Sequence, residues 1–357
     1  MADKKQLKPI IQALLAAALF GASAPLSKLL LAGIDPISLA GFLYLGSGIG
    51  AAVLLLIGRI STKGQYPEAK ITRKEIPWLL GAIIAGGIAA PIILLAGLQS
   101  IPAATASLLL NFETVATAII AVFFFKESMD KRIIWAIILI TIASILLSWI
   151  GGAWGFSLGA IAILVACIFW GLDNNFTRNI SIKDPLLIVS IKGLAAGTFS
   201  ILLATVLGRP LPELPVIFLA LMLGFVSYGL SIRLCILSMR SLGAIRTYAL
   251  FATAPFAGAV LSFILLKDAP KISFWFAVPL MLAGALFLII EKHEHTHLHS
   301  FLEHTHSHTH TDAHHDHDPL SDVHSSNEVH SHQHRHDILE HSHFHTPDTH
   351  HRHIHAD

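Results

Sequence analysis

Between Ala103 and Phe125 the chain runs apolar for the thickness of a bilayer, with one acid, Glu113, at its middle. An ionised carboxylate at that depth is costly to hold, so it requires a partner, a proton or a purpose. Whatever the chain folds into must shield that residue. Similar apolar runs recur at about residues 10–32, 37–58, 76–99, 133–150, 157–179, 185–208, 214–239, 243–266 and 272–290. Each is near the ~20 residues that one crossing requires. With 54% hydrophobic and 13% charged residues, the chain falls outside the composition of soluble domains. The pattern predicts an all-α membrane protein with ten transmembrane helices.

The first run imitates a secretory signal: Lys4, Lys5 and Lys8 precede Ile10 to Phe20, and Ala22-Ser23-Ala24 resembles a cleavage site. Pro25 would follow the cut, and the apolar run resumes through Ala32, so it reads as the first membrane helix. Basic residues then set the orientation. Lys4, Lys5, Lys8, Arg59, Lys63, Lys70, Arg73, Lys74, Lys126, Lys131, Arg132, Arg178, Lys183 and Arg240 fall on one side of the predicted topology, against Arg209, Lys267 and Lys271 on the other. By the positive-inside rule both termini face the cytoplasm, and the expected location is a multi-pass protein of the cytoplasmic (inner) membrane. The only cysteines, Cys167 and Cys235, lie in apolar runs and predict packing rather than a disulfide.

The sequence also repeats itself. Phe20-Gly21 returns as Trp170-Gly171 and Lys28 as Arg178 at one offset, and Asp35-Pro36 returns as Asp184-Pro185 at nearly the same one. Further on, Ser100 and Ala103 return as Ser241 and Ala244, Thr114 aligns with Pro255, and Lys126-Glu127 reappears as Lys267-Asp268. Five spans per half means that the second copy enters from the opposite side. The predicted organisation is therefore two inverted five-helix repeats, 8–150 and 157–290, followed by a disordered His-rich tail, 291–357. Inverted repeats suit alternating access to a central site; stability alone is the competing reason for duplication.

At these residues the chain resembles the EamA-like family of the drug/metabolite transporter superfamily. The likeness rests on Phe20-Gly21 with Lys28, the small-residue approach Ser100-Ile101-Pro102-Ala103-Ala104-Thr105-Ala106-Ser107, the Lys126-Glu127 turn, and the echoes at Trp170-Gly171, Pro255 and Lys267-Asp268. It covers about residues 8–290. The resemblance implies ten helices and export of amino acids, other metabolites or toxic compounds. Where the family commonly has proline, the first half has Thr114, beside Glu113. A helix-kinking residue is thus missing from the fourth helix, and a carboxylate stands next to the gap.

Candidate pathway residues are the polar side chains inside predicted spans: Lys28, Asn111, Glu113, Asp173, Asn174, Lys192, Arg233 and Arg246. Glu113 is the deepest and is the candidate proton carrier; its alternative is a permanent ion pair with Arg246 or Lys28. Asp173 lies close in sequence to Arg178 near the inner end of the sixth helix, where snorkelling would account for it, and Lys192 and Arg233 read as anchors or pathway residues. Arg246 opens the ninth helix and is placed to meet an anionic group. Gly46 with Gly50, and Gly193 with Gly197, have the spacing for close helix contact, while Gly86-Gly87 with Pro91 marks a broken third helix. Trp78, Trp135, Trp149, Trp154 and Trp275 read as interface anchors.

All 23 histidines lie at or beyond His293, and of the Lys and Arg residues only Arg335 and Arg352 lie in the same stretch. Its His-x-His units place His293, His295, His297 and His299, then His304, His306, His308 and His310, then His330, His332, His334 and His336 at alternate positions, with His314, His315 and His317 beside Asp316 and Asp318. Alternate imidazoles suit Zn, Ni, Co or Cu, and their protonation would reverse the sign of this acidic tail. The stretch has no apolar core, so composition predicts disorder.

The leading expectation is a secondary carrier in the lipid bilayer that moves a small-molecule substrate, a metabolite or amino-acid-like compound, with protons as the coupling ion at Glu113. The alternatives are a divalent metal exporter or metal-regulated carrier using the tail, and a membrane-anchored metal buffer. No cofactor is required, no enzyme constellation is present, and no feature suggests nucleic acid.

Overall fold

Asp35-Pro36 and Asp184-Pro185 start two helices by the same device. Asp35 Oδ1 accepts from the amides of Ile37 and Ser38 at 3.0 and 3.3 Å, and Asp184 Oδ1 from Leu186 and Leu187 at 2.9 and 3.4 Å. In each case proline occupies the first helical position, where its missing N–H costs nothing. The structure, a computed structural model, describes residues 4–61, 71–125, 131–149, 156–180, 183–242, 247, 250–268 and 270–289, with 294–299, 302–308, 330–336 and 339–344 in the tail.

Up to residue 289 the described elements are helices: α1 (Lys4–Gly21), α2 (Ser23–Leu30), α3 (Pro36–Ser61), α4 (Ile76–Ala82), α5 (Ala90–Leu98), α6 (Ala103–Leu109), α7 (Phe112–Phe125), α8 (Lys131–Ser148), α9 (Leu158–Arg178), α10 (Pro185–Val206), α11 (Leu214–Gly224), α12 (Ser231–Leu242), α13 (Ala254–Leu266) and α14 (Ile272–Ile289). Wide π-helical turns, Ile83–Ala89 and Phe225–Leu230, join α4 to α5 and α11 to α12. Among the described residues, seven continuous segments are long and apolar enough to cross a membrane: Leu7–Leu30, Pro36–Ile60, Ile76–Leu98, Ala103–Phe124, Leu158–Arg178, Pro185–Val206 and Leu214–Ser238. Three further apolar helices, Ile133–Ser148, Ala254–Leu266 and Ile272–Phe287, are shorter.

The pairing of helices is unchanged when the two halves are exchanged. α3 packs on α10 and α8 on α14; α1 packs on α12 and α13, just as α9 packs on α5 and α7. Glycine makes the second relationship possible. A side chain on Gly21 would run into the backbone of Ala254 and Gly258, and one on Gly171 into the backbone of Ala116 and Thr117. This is the physical content of the repeated aromatic-glycine pair. Gly193 and Gly197 set the α3–α10 contact, while Gly46 and Gly50 face Leu221 and Phe225. Apolar side chains such as Phe123, Phe124, Leu158, Phe218 and Ile264 face outward, as a hydrocarbon solvent permits. Of the expected interface anchors, Trp78, Trp135, Trp149 and Trp275 are exposed, and Trp154 lies outside the described residues. Cys167 and Cys235 are buried free thiols.

One expectation is corrected. The fourth helix breaks even though it lacks the proline: α6 ends at Leu109 and α7 starts at Phe112. In place of proline, the amides of Asn111, Glu113 and Thr114 bond three residues back at 3.1, 3.1 and 3.2 Å, the Asn111 amide side chain donates to Leu108 O at 3.0 Å, and the Thr114 hydroxyl donates to Asn111 O at 2.7 Å. Short polar side chains compete for backbone groups and tighten the turn. In the tail, four stretches are extended: Glu294–His299 pairs antiparallel with Leu339–Phe344, and Leu302–His308 with His330–His336. Strict alternation is a strand-type period.

Candidate functional site

Four of the charged and polar residues singled out in the sequence meet in one cavity of about 190 Å³, lined by Glu113 from α7, Asp173 and Asn174 from α9, and Lys192 from α10. Asn174 Nδ2 donates to Glu113 Oε1 at 2.8 Å and to Thr117 Oγ1 at 3.1 Å; that hydroxyl donates back to Glu113 O at 2.8 Å. Asp173 is buried, ion-paired to Lys192, and accepts from Thr177 Oγ1 at 3.0 Å. Snorkelling toward Arg178 therefore does not describe Asp173. One turn of α9 presents both Asp173 and Asn174 because its neighbour Asn175 ties the helix to α7, donating to Thr117 O at 3.1 Å.

The remaining wall is aromatic. Phe20, Tyr44, Trp170 and Tyr228 line the cavity, the Phe20 and Tyr228 rings meeting edge-on at 5.8 Å and Tyr44 and Tyr228 lying 6.1 Å apart. Tyr228 belongs to the second π-helical turn. The first such turn lies behind the other side: its Gly86 carbonyl accepts from the Tyr44 hydroxyl and, at 3.1 Å, from Trp170 Nε1. A side chain on Gly86 would collide with the Asp173 carboxylate. π-helical turns widen the backbone and free carbonyls for such contacts. The irregularity foreseen at Gly86-Gly87 is thus a π-helical turn that supports the site.

The other candidates lie elsewhere. Asn111 is buried at the α6–α7 break, with Met281 Sδ at 3.6 Å from its Nδ2. Lys28 donates to the carbonyls of Leu98, Gln99 and Ile101 at 2.5, 2.8 and 3.1 Å, closing the end of α5, rather than to Glu113. At that same end, Asp268 accepts from the amide of Ala104 at 3.0 Å and joins α13 to the start of α6. Arg233 lines a smaller groove, about 120 Å³, with Asp184 and Leu54. At the opposite end of the bundle from Lys28, Lys183 Nζ stands 3.1 Å from Glu75 Oε1, and Thr72 donates to Glu75 Oε2 from its amide and hydroxyl at 2.6 and 2.9 Å. Partial burial opposes the charge of Glu75, but the Thr72 amide, Lys183 and the Thr72 hydroxyl together hold its carboxyl below the ordinary value. Arg246 and the Lys126-Glu127 turn lie outside the described residues, as do His293, His310, His314, His315 and His317.

The helix bundle has a counterpart among known proteins. The sequence model of the EamA-like transporter family matches residues 7–149 and again 157–290. The chain belongs to the EamA-like transporter family. It is a multi-pass membrane transporter of the drug/metabolite type. A protein of Methanothermobacter thermautotrophicus described as an uncharacterized transporter is 28% identical over 302 residues, covering 80% of this chain and 87% of that one. A protein of known crystal structure shares the fold, with a TM-score of 0.56 at 17% identity over 78% of this chain and 96% of its own.

In this EamA-like transporter, the residues that sequence reasoning did not place at the site are the rings and the hydroxyls. Phe20 and Trp170 were visible only as repeat markers, although their equivalence puts one ring from each half on the cavity wall. Tyr44 and Tyr228, half the chain's four tyrosines, carried a usable signal: a phenol inside an apolar span needs a polar partner. Thr117 and Thr177 lie one helical turn from Glu113 and Asp173, a spacing that would have found them.

Proposed function

We propose that this transporter is a ten-span carrier of the cytoplasmic membrane, built from two inverted five-helix repeats with both termini in the cytoplasm. It exports a small metabolite or amino-acid-like compound by alternating access, with Glu113 taking and releasing a proton in each cycle. The observation that carries this reading is the gathering of Glu113, Asp173, Asn174 and Lys192 into one cavity walled by both halves. Glu113, Tyr44, Trp170 and Tyr228 come from the middle of their segments, the depth at which carriers place substrate. Contacts between the halves at the two ends, Asp268 with Ala104 and Lys183 with Glu75, are what a rocking motion would make and break.

The test is flux in proteoliposomes under an imposed pH gradient across a panel of metabolites. Transport of at least one solute, driven by the gradient in the wild type and lost in Glu113→Gln, is expected; transport with no response to the gradient would remove the proton from the mechanism.

A further inference from the structure

Four donors on the cavity wall point at partners within it. Lys192 is bound to Asp173, Asn174 to Glu113, and Tyr44 and Trp170 both to the Gly86 carbonyl. An anionic group entering the cavity meets donors that are bonded within the wall. Beside these donors stand acceptors and aromatic rings. Of the three charged groups facing the cavity, Asp173 and Lys192 neutralise each other, and Glu113 makes no ion pair among the described residues. Around it stand the rings of Phe20, Tyr44, Trp170 and Tyr228, whose negative faces attract a desolvated cation.

This polarity is not a by-product of the duplicated scaffold. At the offsets that relate the halves, Glu113 corresponds to Ala254, Asp173 to Ser23, Asn174 to Ala24 and Lys192 to Leu43. All the cavity's charge therefore sits on one copy of each pair, while the aromatic position Phe20/Trp170 is kept in both. A carboxylate that makes no ion pair among the described residues, inside an aromatic enclosure, is the combination that recognises an ammonium group with an apolar body.

We propose that the cavity binds a monovalent organic ammonium ion, with Glu113 as its counter-ion and the four rings around its alkyl or aryl part. As a statement about cargo, this rests on the carrier reading above; as a statement about binding, it stands by itself. The test uses the purified full-length protein and calorimetric titration with tetraethylammonium, choline and phenethylamine, set against phenylalanine as zwitterion and 3,3-dimethylbutan-1-ol as the neutral counterpart of choline. The amines should bind at least about tenfold more tightly than the two controls, and Glu113→Gln should weaken them by about tenfold or more, the scale of a lost buried counter-ion. Glu113→Asp, which keeps the charge, should retain amine binding, and Phe20→Leu should weaken it several-fold. Equal binding of amines and controls, or full amine affinity in a folded Glu113→Gln protein, overturns the proposal. Flux in proteoliposomes separates the two readings. Bound amines that never cross sink the carrier reading and leave the cation site standing; exchange of a neutral or zwitterionic solute that amines neither bind against nor inhibit does the reverse.

Discussion

Asn174 on α9 donates to Glu113 Oε1 on α7 at 2.8 Å, and so a side chain from one half of the sequence orients the acid at the middle of a membrane-length segment of the other half. A hydrogen bond to a charged group contributes about 1.5–3 kcal/mol when it is formed out of bulk water. Removing the acid and removing its orienting amide should therefore differ in kind. Glu113→Gln is expected to abolish uphill transport in correctly inserted protein, whereas Asn174→Ala should slow it by about tenfold, the equivalent of ~1.4 kcal/mol, and leave it gradient-driven. Initial rates in proteoliposomes under a fixed pH gradient decide the matter. Undiminished gradient-driven flux in Glu113→Gln would refute the proton role.

The Asp173–Lys192 pair is largely shielded, with side-chain exposures of 6% and 17%. Removing one member of such a pair strands the other, at about 3–5 kcal/mol, while removing both leaves no charge to strand. Lys192→Met should therefore lower stability strongly, and the double variant Asp173→Asn/Lys192→Met should recover most of the loss. Unfolding midpoints of the wild type, the single variants Asp173→Asn and Lys192→Met and the double variant, in one detergent, give the comparison. If the double variant is as unstable as the sum of the single ones, the pair is not acting as a coupled unit.

Gly86 stands where α9 brings Asp173 against the first π-helical turn, and no atom larger than hydrogen fits between them. Gly86→Ala must displace the carboxylate or the turn, an overpacking cost of about 1–3 kcal/mol. Because Gly86 O also holds Tyr44 and Trp170, the same change should impair flux beyond what its stability loss explains. Gly284, which faces Ile140 where α14 packs on α8 and away from the cavity, offers the control: Gly284→Ala should destabilise without specifically impairing flux. Equal flux defects per unit of lost stability at the two positions would assign Gly86 to packing alone.

How much of this was legible in the sequence follows from range. Asp35-Pro36 and Asp184-Pro185 announce helix starts because a cap acts over three residues, and seven of the ten expected crossings match described helices of full length because apolar length is local. Glu113, Asp173, Asn174 and Lys192 could be picked out singly, since each violates an apolar context. Their meeting in one cavity depends on how α7, α9 and α10 pack, which no single stretch encodes. The α6–α7 break was missed for a different reason: proline was taken as the only signal, when Asn111 and Thr114 produce the same turn by bonding the backbone. The second π-helical turn, Phe225–Leu230, had its clue in its position, equivalent to Ile83–Ala89 in the first half.

The Glu75–Lys183 contact ties the start of α4 to the link between α9 and α10, at the end of the bundle opposite Lys28. Since the folded protein holds the Glu75 carboxyl below its ordinary value, the contact stabilises the fold at pH above that ordinary value and loses its contribution as pH falls through the lower, folded one. The contribution is modest, under ~1 kcal/mol, because the group is near solvent and screened by salt. Glu75→Gln should therefore lower the unfolding midpoint slightly at neutral pH, and the gap to wild type should close as acid protonates Glu75. Raising the ionic strength at neutral pH should narrow the same gap. A difference that persists unchanged in acid and in high salt would mean that the side chain acts through its hydrogen bonds to Thr72 and not through its charge, and the pairing with Lys183 would then contribute nothing to holding the two halves together at this end.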